Sequence, residues 1–517
     1  MKRILALTLC LLMLCSCGTV RLDDPLQNTA PPQQDPLPEQ PDSVPEKVTP
    51  EQADILTLAY EPTDSFNPYL ATSSVNCFLG NLLYEGLFAI GPEGDAIPRL
   101  CTHYDASADG LTYTFYLRHG ITMHDGQQLS VSDVIASLNT ARKSERYGYR
   151  LRHISSVLSV EADTVTILLD TSYEKLPLLL DVPILRASQL SADRPVGTGP
   201  YRLFAGALRE HDDWWRGSVP YGEVVRLYSA STAAELADDF AADHINFVCI
   251  DPNGSATPAY HSDDSLYSIK TMTMQYLGFN LTDGPFTNAA LRAAITHLID
   301  REALVADTCG GFASEASLPT HPESGNYDSR LAGKFEYAPD DFHTAMQQAG
   351  IRDVTGDGIL DLPTEEGTIP ASGTMLVCGA YSQRVAAAQA LAEVFKAYGI
   401  ELTVQSLGYN AYVRALQNGN FDLYYGEATL SPDGDLSCFF DQQSALCLGG
   451  MADAVALQLC ETALENAGNY YTLCEFVMEN GLLTPVLYKQ NAVYARQELQ
   501  LELTPALGNA LYYTPEE

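Results

Sequence analysis

Basic residues are scarce in this chain of 517 residues: 29 lysines and arginines stand against 66 aspartates and glutamates, and the formal net charge is −37. A surface of that sign repels nucleic acid and anionic lipid, because both carry dense negative charge. The composition therefore predicts that nucleic acid is not a partner. A solvated acidic surface is the simpler interpretation of the charge, and recruitment of cationic ligands is the alternative.

Motifs of metal binding and hydrolysis are missing as well. Nine of the twelve cysteines follow Cys17, an odd number at wide spacings with no CxxC pair, which is neither a disulfide framework nor a zinc pattern. The chain has no HExxH and no GxSxG, its ten histidines are scattered, and His124-Asp125 is interpreted as a turn rather than a dyad. We expect no enzyme activity, no cofactor and no metal centre.

Long apolar runs are confined to the N-terminus, where Lys2 and Arg3 precede an apolar stretch over residues 4–14. That stretch is too short to cross a bilayer and is typical of a signal peptide. Leu14-Cys15-Ser16-Cys17 resembles the lipobox of bacterial lipoproteins. The resemblance implies a signal peptide over residues 1–17, a diacylglycerol on Cys17, and a location on the outer face of the bacterial cell membrane. An ordinary cleaved signal peptide is the alternative.

Residues 18–53 contain eight prolines among polar residues and almost nothing to bury. Such a composition predicts a disordered tether. Fully extended as polyproline II, it would reach roughly 100 Å at ~3.1 Å per residue.

Beyond the tether, strand and helix patterns alternate. Residues 55–60 and 111–117 are predicted strands, and 157–160 with 165–169 form a predicted hairpin around Asp163. Apolar spacing predicts a helix over 385–398, capped by Ser382 and ended by Gly399, with a strand over 400–407 directly after it. The fold class is therefore α/β.

Two series of motifs resemble, in order, the family 5 extracytoplasmic solute-binding proteins, which are the oligopeptide, dipeptide and nickel receptors of ABC importers. The first series comprises Tyr84-Glu85-Gly86-Leu87-Phe88, Pro98 with Leu100, Asp109 to Arg118, His124-Asp125-Gly126 and Ser132-Asp133-Val134. The second comprises Val196-Gly197-Thr198-Gly199-Pro200-Tyr201, Trp214-Trp215-Arg216-Gly217 with Pro220, Gln275 to Asn280, Pro285-Phe286 and Leu291 to Arg301. The match weakens afterwards, and Phe421 to Asp441 is its last clear segment. In the glycine turn, Gly197 and Gly199 are expected to adopt backbone angles that a side chain would oppose.

The resemblance implies a type II periplasmic-binding-protein-like fold with two lobes, a hinge and a third, small inserted domain. Domain I would comprise residues 54–88, 191–270 and 488–517. The inserted domain II would span 89–190 and domain III would span 271–487. The lobes would close over solute by a hinge motion.

In function, the resemblance implies a monomeric solute receptor that captures short peptides and delivers them to the permease subunits of an ABC importer. Two alternatives stay open. The solute could be a nickel chelate, haem or an oligosaccharide, or the protein could be a solute-sensing lipoprotein without a transport role.

The family often binds the peptide amine through an aspartate in a loop that matches residues 424–435. Asp435 aligns best and Asp433 is second, although the loop lacks the family's tryptophan and Asp-Pro pair. The full set of ligand-binding candidates is Asp435, Asp433, Tyr425, Glu427, Tyr276, Asn280, Tyr147, Tyr149 and Asn76.

Residues 353–361 imitate a calcium loop, with aspartates at positions 1, 5 and 9 and glycine at position 6. Position 12 is Thr364, where a bidentate glutamate belongs. Calcium binding at this loop is left open.

Overall fold

The computed structural model describes residues 54–254, 265–499, 501 and 503–513. The predicted signal peptide, Cys17 and the tether lie outside the described residues. Within the described ranges, the helices are too short or too polar for any of them to cross a membrane.

The strands are β1 Thr57–Tyr60, β2 Phe88–Ile90, β3 Ala96–Pro98, β4 Cys101–Ala106, β5 Thr112–Leu117, β6 Ile154–Leu158, β7 Thr164–Leu169, β8 Tyr201–Phe204, β9 Ala207–Glu210, β10 Val224–Ser229, β11 Phe247–Ile250, β12 Ser265–Phe279, β13 Ala313–Glu315, β14 Asp361–Thr364, β15 Gly367–Pro370, β16 Ser372–Cys378, β17 Glu401–Leu407, β18 Leu423–Thr429 and β19 Leu483–Ala495.

The α-helices are α1 Ser74–Leu83, α2 Val131–Ala141, α3 Ala233–Ala241, α4 Ala289–Ala294, α5 Arg301–Cys309, α6 Ser329–Ala332, α7 Pro339–Gln348, α8 Ser382–Ala397, α9 Tyr409–Gln417, α10 Ser437–Phe440, α11 Ala454–Glu465 and α12 Tyr470–Glu479.

Three sheets of four or more strands organise these elements, and β2-β3 and β14-β15 form two small two-stranded sheets. A four-stranded sheet has the order β1-β10-β9-β8, and a second has the order β4-β5-β7-β6. The largest sheet has the order β11-β19-β12-β18-β16-β17, with β13 added on β19. The sheet of β4 to β7 has its own apolar core and lies in the segment predicted as domain II.

Most of the local predictions hold. Burial alternates along β5, and β6 and β7 form the predicted hairpin, with Asp163 at a positive φ of 60° in the turn. Gly399 follows α8 with a φ of +81°. The predicted Ser382 cap is wrong: Tyr381 is the N-cap and makes no side-chain capping bond. The apolar spacing predicts where the helix lies, but it does not predict the residue at which the helix begins.

Strands β12 and β19 are long and antiparallel, and they pass through both predicted lobes. Residues 265–270 of β12 pair with 490–495 of β19, and a register shift between Lys270 and Met274 separates this part from the remainder. The boundaries predicted at 270/271 and 487/488 fall inside these two strands. A pair of continuous strands with a local irregularity is a suitable hinge, because few residues need to change conformation.

Gly197 and Gly199 are required for a different reason from the one expected. Neither residue has a positive φ. A Cβ on Gly197 would lie 2.4 Å from the Leu83 carbonyl oxygen, and a Cβ on Gly199 would lie 2.5 Å from the Leu83 carbonyl carbon. The turn is therefore packed directly against the backbone at the end of α1.

Gly199→Ala is expected to lower the free energy of unfolding by about 1–3 kcal/mol, because the added methyl group meets backbone that has no room to move. Gly333→Ala is the matched control, since Gly333 has a φ of −59° and open space around its Cα. We expect that variant to be neutral or more stable by up to about 1 kcal/mol. Urea unfolding followed by circular dichroism measures both, and equal effects would contradict the packing argument.

Candidate functional site

Two segments far apart in sequence meet where the part of the chain predicted as domain II contacts the C-terminal half. The first, residues 147–152, lies between α2 and β6, and the second, residues 431–441, follows β18. The Arg152 guanidinium lies 2.8 Å from the Asp435 carboxylate and 4.4 Å from the centre of the Tyr149 ring. The Tyr149 hydroxyl donates to Asp441 at 3.5 Å. This contact brings three of the predicted residues, Tyr149, Asp433 and Asp435, into one place.

A second set of contacts extends the same boundary. The Glu174 backbone N–H donates to the Leu464 carbonyl at 3.3 Å. The Lys175 ammonium donates to Asn326 at 3.1 Å and lies 4.9 Å from the centre of the Tyr470 ring. The two parts of the molecule therefore touch along a continuous surface.

Asp435 is buried and fully engaged. Its Oδ1 accepts from the Ser437 backbone N–H at 2.9 Å and from the Ser437 hydroxyl at 2.6 Å, while its Oδ2 faces Arg152. Burial alone would raise the pKa of this carboxyl, but the charge of Arg152 and the bonds from Ser437 hold the pKa below its usual value. Asp435 is therefore ionised, and Arg152 of the same chain is its counterion.

Asp433, two residues earlier, has a different environment. Its Oδ1 accepts from the Ser431 hydroxyl and, at 3.4 Å, from the Asp435 backbone N–H. Its Oδ2 is buried and has no hydrogen-bond partner among the described residues. Burial, and next the negative charge of Asp435, raise the pKa of Asp433 to about 7. A buried acceptor without a donor is costly unless a water molecule or a ligand supplies one.

Glu427, on β18, lies at the centre of a buried charge network. Its carboxylate pairs with Arg384 of α8, with Lys489 of β19 at 3.2 Å, and with the Gln275 side-chain amide of β12 at 2.8 Å. Burial opposes ionisation, but the charges of Lys489 and Arg384 lower the pKa of Glu427 to about 2. Lys489 also pairs with Asp251, which follows β11. The network thus joins the two predicted lobes next to the β12–β19 pair.

Tyr425 and Tyr276 are buried in the cores on opposite faces of the large sheet. The Tyr425 hydroxyl donates to the Gln275 side-chain oxygen at 2.7 Å. The Tyr276 hydroxyl lies 3.2 Å from that of Tyr424, beside a cavity of about 110 Å³. Since Tyr412 and Leu446 also line this cavity, it lies inside the C-terminal half of the molecule.

Asn76, Asn280 and Tyr147 hold the protein's own structure. The Asn76 side chain accepts from the Glu61 backbone N–H and donates to the Glu61 carbonyl, both at 2.9 Å. The Asn280 amide donates to the Phe421 carbonyl at 3.0 Å. The buried Tyr147 ring packs edge-on against Tyr69. A role of these three residues in solute binding stays a prediction.

Sequence reasoning did not select Arg152, Arg384 or Lys489. A charged residue directly after an apolar run, such as Lys489 after residues 485–488 of β19, is a signal that could have marked the buried network. Arg152 carries no comparable signal, because its surroundings in sequence are already polar.

The calcium-like loop is satisfied by its own backbone. The Asp353 carboxylate accepts from the backbone N–H groups of Gly356 and Gly358, which lower its pKa. The Asp361 carboxylate accepts from those of Val354 and Thr355. Within the ranges that the structure describes, no group of three or more histidine, cysteine or acidic side chains is arranged to hold a metal ion.

Sequence comparison finds related solute-binding proteins. The family model for bacterial extracellular solute-binding proteins, family 5 Middle, matches residues 95–444. The oligopeptide-binding protein AppA of Bacillus subtilis is 25% identical over 387 residues, covering 70% of each chain. The glutathione-binding protein GsiB of Pectobacterium atrosepticum is 26% identical over 309 residues, covering 55% of this chain and 59% of GsiB.

Solved structures share the fold. The structure of AppA from Bacillus subtilis in complex with a nonapeptide has a TM-score of 0.63 at 23% identity, covering 86% of this chain and 94% of AppA. NikZ from Campylobacter jejuni in complex with Ni(L-His) has a TM-score of 0.66 at 20% identity, covering 86% and 94%. Type II periplasmic-binding-protein architecture with α/β content is thereby confirmed.

The family model covers more than half of the chain, and the motif series, the sheet arrangement and the relatives agree with it. Proteins of this family bind solutes and are not enzymes, which confirms the prediction that the chain has no catalytic function. The chain belongs to the family 5 bacterial extracellular solute-binding proteins.

Proposed function

We propose that this protein is the extracytoplasmic receptor of an ABC importer, which captures short peptides between its lobes and delivers them to the membrane permease as a monomer. The observation that carries the proposal is Asp433: a buried carboxylate oxygen without a hydrogen-bond partner among the described residues, at the contact between two parts of the molecule. Membership of a solute-binding family and similarity to an oligopeptide-binding relative support it.

The peptide amine binds at Asp433 Oδ2 in this proposal. Both oxygens of Asp435 already have donors or a cation, whereas Asp433 has an acceptor to offer. An ammonium group would donate to it and favour its ionised form. Asp435 would contribute indirectly, by keeping Arg152 in place through their ion pair. The Tyr149 ring would line the binding site next to Arg152.

Three other candidates, Tyr276, Tyr425 and Glu427, divide into two groups. Tyr276 lies beside the internal cavity and is proposed to contact the side chains of the solute. Tyr425 and Glu427 are engaged by Gln275, Arg384 and Lys489, so their proposed contribution is to hold the sheet that lines the cleft.

The test is native mass spectrometry of the protein purified from a peptide-rich medium, with mass analysis of what it releases on unfolding. A ladder of short peptides is the expected result and would also give the preferred length. Release of a metal chelate, a haem, a sugar or one defined metabolite would overturn the peptide assignment while leaving the solute-binding role intact.

Lipid anchoring through Cys17 is part of the proposal, with residues 18–53 as the tether. Cys17→Ala is expected to release essentially all of the protein from membranes, because no thioether-linked diacylglycerol can form and the two acyl chains are lost. Fractionation and immunoblotting measure the change, and Cys77→Ala, which alters a cysteine far from the lipobox, is the control. Continued membrane retention of the Cys17 variant would show that another segment anchors the protein.

A further inference from the structure

The charge balance at the two buried aspartates depends on one residue from the opposite part of the molecule. Asp433 and Asp435 are 3% and 5% exposed. Arg152 is the cation with which the structure pairs Asp435. Its neighbour Arg150 pairs instead with Asp181, within the inserted domain.

Arg152 is held firmly in this position. Its guanidinium stacks on Tyr149 and donates to the Tyr149 carbonyl at 3.3 Å, in addition to the ion pair. Tyr149 is in turn bonded to Asp441. Asp441 and Arg152 are both partly exposed, but Asp441 contacts Tyr149, whereas Arg152 lies 2.8 Å from Asp435. The charges that act on Asp433 are those of Asp435 and Arg152.

Above pH 7, where both aspartates are ionised, two carboxylates and one guanidinium leave a single negative charge to be compensated. One ammonium group bound at Asp433 completes the neutralisation. A second cation next to it would find Asp435 already occupied and would face the Arg152 guanidinium beside two buried carboxylates, where like charges repel more strongly than in water.

We propose that Arg152 is a specificity-determining residue, which restricts the end of the solute bound at Asp433 to one positive charge. The inference rests on the proposed peptide-binding function and adds the substrate class to it. Peptides whose first residue has a neutral side chain are accepted, and peptides that begin with lysine or arginine are disfavoured.

The test uses two pools of oligoalanine peptides, from dipeptide to nonapeptide, that differ only in whether the first residue is alanine or lysine. Native mass spectrometry of the full-length protein at pH 8 and low salt measures how much of each pool binds in competition. The wild-type protein is expected to prefer the alanine pool by about tenfold. In Arg152→Gln the preference is expected to fall to equality or to reverse, because Asp435 becomes available to the lysine ammonium.

Two further variants make the result specific. Arg150→Gln removes a neighbouring guanidinium that does not pair with Asp435, and its preference should match the wild type. The double variant Arg152→Gln with Asp435→Asn removes both partners, avoids an unpaired buried carboxylate and is expected to discriminate little between the pools. It provides the measurement should Arg152→Gln alone fail to fold.

An unchanged preference for the alanine pool in Arg152→Gln, or in the double variant, would overturn the inference while peptide binding itself stands. Failure of the proposed function looks different: the wild-type protein would bind neither pool, and the inference would fall with it.

Discussion

Glu427→Gln is expected to lower the free energy of unfolding by about 3–5 kcal/mol, the cost of breaking a buried ion pair by removing one partner. Glu427 is inaccessible to solvent and faces two cations, Arg384 and Lys489, which are themselves buried. A neutral amide cannot compensate their charges, and the surrounding core gives them no access to water.

The control is Glu401→Gln, at an ion pair with Lys396 in which both side chains are at least half exposed and the charged atoms lie 3.6 Å apart. Water screens that pair, so a loss of about 0–1 kcal/mol is expected. Urea unfolding of the two variants and the wild type gives both values. A loss at Glu427 no larger than that at Glu401 would show that the buried network does not hold the sheet together.

Acid should affect the wild type and the Glu427 variant differently. The pKa of Glu427 is about 2 in the folded protein and near 4.5 in an unconstrained chain. Ionised Glu427 therefore contributes stability that is present above pH 4.5 and is lost as the pH falls through 2. The Gln variant lacks this contribution, and its stability should vary less over that window.

Asp433→Asn is expected to weaken peptide binding by about 30-fold or more, since removing one partner of a buried charged hydrogen bond costs about 2 kcal/mol or more. Asp435→Asn is expected to weaken binding by about tenfold, because it leaves Arg152 uncompensated beside the bound ammonium. Asp441→Asn removes a partly exposed charge of the same segment but keeps an oxygen that can accept from the Tyr149 hydroxyl, so this control should change affinity less than about threefold. Calorimetric titration with a peptide identified by the mass measurement compares them.

The same Asp433 substitution should make the protein more stable at pH 8. The pKa of Asp433 is about 7 in the folded protein against 3.8 for an ordinary aspartate, so the folded state binds the extra proton and wild-type stability falls as the pH rises from about 4 to 7. Asparagine cannot ionise, so this fall should disappear in the variant. Weaker binding together with higher stability would separate a binding role from simple unfolding, and weaker binding with lower stability would contradict it.

Binding and pH are linked in the wild type by the same group. An ammonium at Asp433 requires the ionised carboxylate, so affinity should rise as the pH increases through about 7, with release of a proton on binding. Titrations in buffers of different ionisation enthalpy measure that proton.

Secondary structure could be predicted well because it depends mainly on residues that are neighbours in sequence. The alternating burial of β5, the β6–β7 hairpin and the end of α8 before Gly399 follow from side-chain period and backbone geometry. Ser382 shows the limit of such reasoning: its type and position suit a cap, but the chain enters α8 at Tyr381. The glycine turn shows the same limit, since both glycines are required by the backbone of α1 and not by their own φ angles.

The sequence by itself determined the family, the α/β class and the loop that carries the candidate aspartates, because motifs in a fixed order and side-chain periods are properties of the chain. Only the tertiary structure decided which aspartate has an oxygen to offer, since Arg152 pairs with Asp435 although the two are 283 positions apart in the chain. It also decided that Glu427 serves a buried network, whose partners come from α8, β12 and β19. Charge compensation depends on distance and burial, and both arise only when remote segments pack together.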